Sequence, residues 1–166
     1  MEFLKSLGDL KDLAANRVLL CAAAAWVLAQ ILKLVTSSKY RKTCHPGEVL
    51  VRSGGMPSSH SSVVCATCFS CGILYGYDSA IFAVAAILAV VVMRDAAGIR
   101  RQAGQQAEAI NEMSAELSKK RKDYQQVTLS ELLGHTPLQV FFGALLGIAM
   151  AYLCQYLFFP KIFPVV

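Results

Sequence analysis

The stretch Gly54-Gly55-Met56-Pro57-Ser58-Ser59-His60-Ser61-Ser62 joins a glycine turn to a proline, two serines and a histidine at the head of an apolar run. Adjacent glycines reach backbone conformations that a Cβ resists, and they let another group come close to the main chain. Pro57 suits a first helical turn, and Ser58 or Ser59 can cap it by accepting a hydrogen bond from a free amide. A helix that starts here points unpaired N–H groups and a positive dipole end outward, which favours an anion. His60, about one turn in, can exchange a proton with that anion. The competing reading is plain loop punctuation ahead of a membrane helix.

Working outward, the chain of 166 residues is 55% hydrophobic and only 16% charged, which predicts one membrane domain rather than a soluble one. The run after the motif predicts a helix over 58–76, rich in Ser, Thr and Cys, small residues that let membrane helices approach closely. Residues 17–35 form another apolar stretch, broken only by Gln30 and Lys33, with the lysine expected to snorkel to the interface. Further membrane helices are expected over 79–94 and 137–159, the last capped by Thr136 and started by Pro137. Residues 1–16 and 98–122 have apolar residues at helical spacing opposite charged ones and predict amphipathic helices outside the bilayer. The fold class expected is therefore all-α, an integral membrane bundle of about four transmembrane helices plus these two amphipathic ones.

The six cysteines lie mostly inside apolar runs and read as small, polarizable core residues rather than as a disulfide framework. Cys44 and His45 are neighbours without a second pair of ligands, and a solvated loop is the better reading. No metal site and no cofactor is expected.

Basic residues fix a topology. The stretch between the first two membrane helices and the stretch between the last two together hold eleven, against four (Lys5, Lys11, Arg17 and Lys161) on the other side. By the positive-inside rule the richer face is cytoplasmic, or stromal or matrix in an organelle. Four crossings bring the start of the second helix with His60, the end of the third with Arg94 and Asp95, and the start of the fourth with His135 to that one face. An anion there meets helix-end amides, arginines and two imidazoles.

Three blocks carry a family resemblance: Gly54 to Ser61, then Arg94-Asp95-Ala96-Ala97-Gly98-Ile99-Arg100-Arg101, then Glu131-Leu132-Leu133-Gly134-His135-Thr136-Pro137. In order, spacing and wording they resemble the divergent branch, found in bacteria, algae and plants, of the type 2 phosphatidic acid phosphatase and vanadium-dependent haloperoxidase superfamily. The resemblance implies an acid-phosphatase type of hydrolase acting through a phosphohistidine, with His135 as nucleophile and His60 as the acid that protonates the leaving oxygen. Asp95 would orient a base or a guanidinium. Lys33, Arg52, Ser58, Ser59, Arg94, Arg100 and Arg101 would hold the phosphate. The chain departs from the pattern at three places. Gln139 stands where better-known relatives carry an orienting aspartate, Leu129 where they carry an arginine, and Lys33 with Arg41 only echoes their first motif.

The function expected is hydrolysis of a lipid phosphate or prenyl diphosphate at the membrane face, with a non-catalytic binding or assembly module as the alternative. The expected partners are the membrane lipid bilayer and that substrate, with no nucleic acid and with a homo-oligomer allowed. The expected location is the plasma membrane or an organelle membrane.

Overall fold

The structure, a computed structural model, describes residues 10–36, 55–121, 128–129 and 134–162. The elements are α1 (Leu10–Ala14), α2 (Arg17–Thr36), α3 (Ser59–Tyr75), α4 (Ala80–Ala97), α5 (Ile99–Lys120) and α6 (Pro137–Leu153). A π turn (Cys154–Phe158) and the short α7 (Phe159–Ile162) follow. No strand occurs among the described residues. The architecture is all-α, and three helices are long and apolar enough to cross a membrane: Arg17–Thr36, the apolar part of the run Ala80–Lys120, and Pro137–Phe158.

The helix at the middle of the bundle is α3. At 17 residues α3 is about 25 Å long, and it packs most extensively on α6 and then on α2 and α4. Its composition explains this place, because Ser59, Ser61, Ser62, Cys65, Ala66, Cys68, Ser70 and Cys71 are all buried. Lipid tails are as apolar as leucine, so membrane helices associate through close backbone packing and interhelical hydrogen bonds rather than through exclusion of water. Along α6 the complementary residues are Gly143 and Gly147. A Cβ at Gly143 would strike the Ser58 carbonyl oxygen, and one at Gly147 the Ser62 carbonyl oxygen and the Ala66 nitrogen. Ser62 Oγ also donates to the Ala25 carbonyl on α2 at 3.3 Å.

The starts of α2, α3, α4 and α6 are capped by their own sequence. Asn16 Oδ1 accepts from the Val18 and Leu19 amides at 3.0 and 3.1 Å ahead of α2. Ser58 caps α3, Ser79 caps α4 by accepting from Phe82 N–H at 3.2 Å, and Thr136 caps α6. Pro57 therefore lies one residue outside the helix rather than in its first turn, joined to Met56 by a cis peptide bond.

The structure corrects one expectation plainly. Lys33 does not snorkel to the interface but turns inward, with 1% of its surface exposed and Nζ donating to Ser59 Oγ at 3.0 Å. Helix α4 runs three residues past Arg94, to Ala97, so the charged block is its last turn. Cys65, Cys68 and Cys71, three apart, share the flank of α3 that faces α4: Cys65 Sγ lies 3.8 Å from Met93 Sδ, and Cys68 and Cys71 cluster with Ala85 and Ala89. The Cys44–His45 pair lies outside the described residues, as do residues 1–9 of the expected N-terminal helix.

Candidate functional site

The starts of α3 and α6 are held side by side by their backbones. Ser58 N–H donates to the Gln139 carbonyl at 3.0 Å, and His135 N–H donates to the Ala96 carbonyl of α4 at 3.0 Å. Three chain segments thus meet at one end of the bundle. Ser58 Oγ accepts from the Ser61 amide at 3.3 Å and lies 3.1 Å from Ser61 Oγ, all of it buried. Against this helix start stand Lys33 from α2 and the two imidazoles. The rings of His60 and His135 lie edge to face, centroids 5.7 Å apart and planes at 69°.

His135 is 1% exposed, and its two ring nitrogens have different surroundings. Nδ1 lies 3.3 Å from Gln139 Oε1. That same oxygen accepts from Thr136 N–H at 3.0 Å, completing a capping box in which Thr136 Oγ1 accepts from Gln139 N–H at 3.4 Å. Accepting from a backbone amide fixes that atom as the oxygen of the Gln139 side chain. An oxygen acceptor in turn requires the proton on Nδ1, so the neutral ring carries its lone pair on Nε2. Nε2 is buried, and among the described residues it makes no hydrogen bond of ordinary geometry, the Gly55 backbone being only a weak partner of the ring.

His135 sits ahead of α6, outside the spans, and its imidazole is held down to about 4. Burial is the main cause and the Lys33 ammonium the second, with a smaller contribution from His60; the Gln139 hydrogen bond and the Gly55 backbone act the other way. At neutral pH the ring is therefore an uncharged base with an available lone pair, beside a cation and the amide end of a helix.

A model of the Divergent PAP2 family matches residues 14–150. The chain belongs to that family. The match covers α2 through nearly all of α6, and so every residue of the polar end. Among relatives, the uncharacterized membrane protein YuiD of Bacillus subtilis (strain 168) is 38% identical over 161 residues, covering 89% of this chain and 99% of its own length. No solved structure matches. The protein is thus a PAP2-related integral membrane protein.

Within this Divergent PAP2 member the sequence-derived residues divide into two groups. His60, His135, Lys33, Ser58 and Ser59 are brought together by the contacts above. Arg94 is exposed on the last turn of α4, Asp95 is half-buried beside it, and Arg101 is half-buried on α5. The link of that group to the imidazoles is the hydrogen bond from His135 to the Ala96 backbone. Neither Arg94 nor Arg101 makes a side-chain hydrogen bond or ion pair to the histidines among the described residues. Arg52 and the Arg100 side chain lie outside the described residues. No cluster of three or more metal-ligating side chains occurs among the described residues.

One contributor escapes a reading by residue type. Gln139 holds Nδ1 of His135; the Thr136-x-x-Gln139 capping box is the signal that finds it. Leu129 is gripped through its backbone by α5, with no contact to the histidines among the described residues. Asn111 Nδ2 donates to the Leu129 carbonyl at 2.9 Å, and the Leu129 amide donates to Asn111 Oδ1 at 2.7 Å. Nothing in the sequence pairs these two residues in advance.

Proposed function

We propose that this protein is a phosphatase of lipid phosphates or prenyl diphosphates, working through a phosphohistidine at the membrane face that carries the excess of basic residues. The observation that carries the proposal is the buried, lone-pair-bearing Nε2 of a neutral His135, without a hydrogen bond of ordinary geometry among the described residues, beside His60, Lys33 and the start of α3. In the first step Nε2 attacks phosphorus while the P–O bond to the lipid breaks, and His60 donates a proton to the leaving oxygen. In the second step His60 takes a proton from water, whose oxygen attacks the phosphoryl group, releasing phosphate and restoring both rings. Lys33 and the amide end of α3 stabilise the equatorial oxygens. Ser58 and Ser59 shape that cradle, Ser59 by holding Nζ. Arg52, Arg94, Arg100 and Arg101 are assigned to drawing in the anion, with Asp95 ordering the guanidiniums.

One observation favours a second reading. Gln139 is neutral, so it orients His135 without offsetting the charge that the ring acquires on attack. A module that binds the anion without turning it over has this same geometry. Phosphate release from a panel of lipid phosphates and diphosphates, by purified protein in detergent, separates the two. Turnover that disappears in His135→Ala supports the phosphatase, and anion binding with no release from any substrate supports the module.

A further inference from the structure

Helix α5 carries an exposed apolar side away from the end of a membrane span. It follows α4 across the single residue Gly98, whose backbone at φ −105° and ψ −87° departs from helical values and bends the path. Ile99 comes about 9 Å of helix after Met93, where the unbroken apolar run of α4 ends, and so starts α5 close to the headgroup layer. At 22 residues α5 is about 33 Å long. Ile99, Ala103, Ile110, Met113 and Leu117 are all exposed, and at about 100° per residue they share an arc of about 80°. Glu108, Glu112 and Glu116, also exposed, point about 100° to 180° away from the middle of that arc. One flank of the stripe is already taken, because Gly104 and Ser114 are buried and Asn111 holds the Leu129 backbone. On the other flank Lys120 lies about 60° from the stripe, and its long stem can carry an ammonium to phosphates beside it.

We infer that α5 bends over at Gly98 to lie in the surface of the bilayer that α4 crosses, its stripe from Ile99 to Leu117 seated at the boundary of headgroups and acyl chains. The charges are distributed as such a seat requires, with the three carboxylates turned to water and Lys120 at headgroup level. A partner helix fits this stripe less well. Helix pairs take their register from charges beside the seam, and the positions nearest this one on either side include Gln102, Ala107, Ala109 and Ser114, none of them charged. Asn111 grips Leu129, six residues ahead of His135, so seating α5 in lipid also ties the chain that leads to His135 to the membrane surface.

The test places the full chain in nanodiscs of mixed zwitterionic and anionic phospholipid, with or without lipids brominated near the carbonyl. Three variants in a Trp26→Phe background carry one indole each: Met113→Trp and Leu117→Trp on the stripe, and Glu108→Trp opposite it, all at exposed positions. The inference predicts that brominated lipid quenches both stripe indoles at least about threefold more than the Glu108→Trp indole. The difference should persist when each disc holds a single chain. Quenching at none of the three positions would place α5 clear of the bilayer and overturn the inference, and equal quenching at all three would sink the helix all round and overturn it as well. So would stripe indoles that bromine reaches only once chains are diluted to one per disc, which is the behaviour of a stripe covered by a second copy.

Discussion

Helices α3 and α6 lie against each other along most of their length, yet their two ends are built on opposite plans. At the end distal to the histidines, Tyr77 and Tyr152 share a hydrogen bond of 3.1 Å between hydroxyls, Tyr152 stacks on Tyr156, and Phe69 and Phe82 flank Tyr77. Those rings are amphipathic, their polar tips reach the surface, and the arrangement is what an interfacial aromatic belt requires. At the other end an ammonium, the His135 imidazole and several hydroxyls are taken out of solvent, and Nε2 of that ring has no hydrogen bond of ordinary geometry among the described residues. Burying such groups costs free energy unless they are fully satisfied. A fold that closes one end with well-paired aromatics has no structural need for this arrangement at the other, and the difference supports the function proposed for the polar end.

The comparison breaks most completely if the seam joining the ends is forced open. Gly147→Leu pushes a side chain into the Ser62 carbonyl and the Ala66 amide, neither of which can move aside. A loss of several kcal/mol or outright misfolding is expected, since overpacking alone costs roughly 1–3 kcal/mol. Thermal unfolding in detergent measures it. Gly143→Ala, aimed at the Ser58 carbonyl, should lose less stability than Gly147→Leu but more of the anion site, because it displaces the cap of α3.

Next in size is Lys33→Met. At a position kept for function, removing a buried ammonium should leave stability unchanged or raise it by about 1 kcal/mol. Protection by phosphate or vanadate should fall at least tenfold, as a ligand stabilises only through its native-state affinity. Stability lost together with an unchanged response to phosphate would make Lys33 structural.

The third prediction concerns pH. His135 has its folded-state value lowered from the ordinary 6.5 to about 4, so between those limits the unfolded chain binds more protons than the folded one. Stability contributed by the neutral ring is therefore fully present above about 6.5 and is lost as pH falls towards 4, by on the order of 2 kcal/mol. His135→Phe should flatten that part of the pH profile. At the aromatic end, Tyr77→Phe removes one partly exposed hydroxyl bond and should cost no more than about 1 kcal/mol, with no effect on anion protection.

The residues that defined the polar end in the sequence did so because their chemistry is local. Ser58 and Thr136 cap helices through neighbours three residues away, and a cap is readable wherever its spacing is. The helices themselves were legible as apolar runs, except that α3 is too short and too polar to be distinguished by hydropathy alone; its neighbours make it central. What could not be read was direction across the bundle. A lysine one turn from a helix end is expected at the interface, and only the packing of α2 on α3 reveals that Lys33 faces Ser59. Gln139 was legible as a departure from a family pattern, and only the structure shows that its side-chain oxygen lies against Nδ1 of His135. Arg94 and Arg101 were grouped with the histidines by chain position, and their side chains do not join that hydrogen-bonded group.

The most direct measurement is chemical trapping at His135. Wild type and His60→Ala are mixed with a labelled phosphate ester whose leaving group needs no protonation, then quenched in base, where phosphohistidine survives. Transfer to Nε2 remains feasible without His60, whereas activation of water in the second step does not. The account predicts an acid-labile label at residue 135 that accumulates in His60→Ala, is fleeting in wild type and is absent in His135→Ala. Phosphate release that continues in His135→Ala, with no label on any of the three proteins, would contradict it.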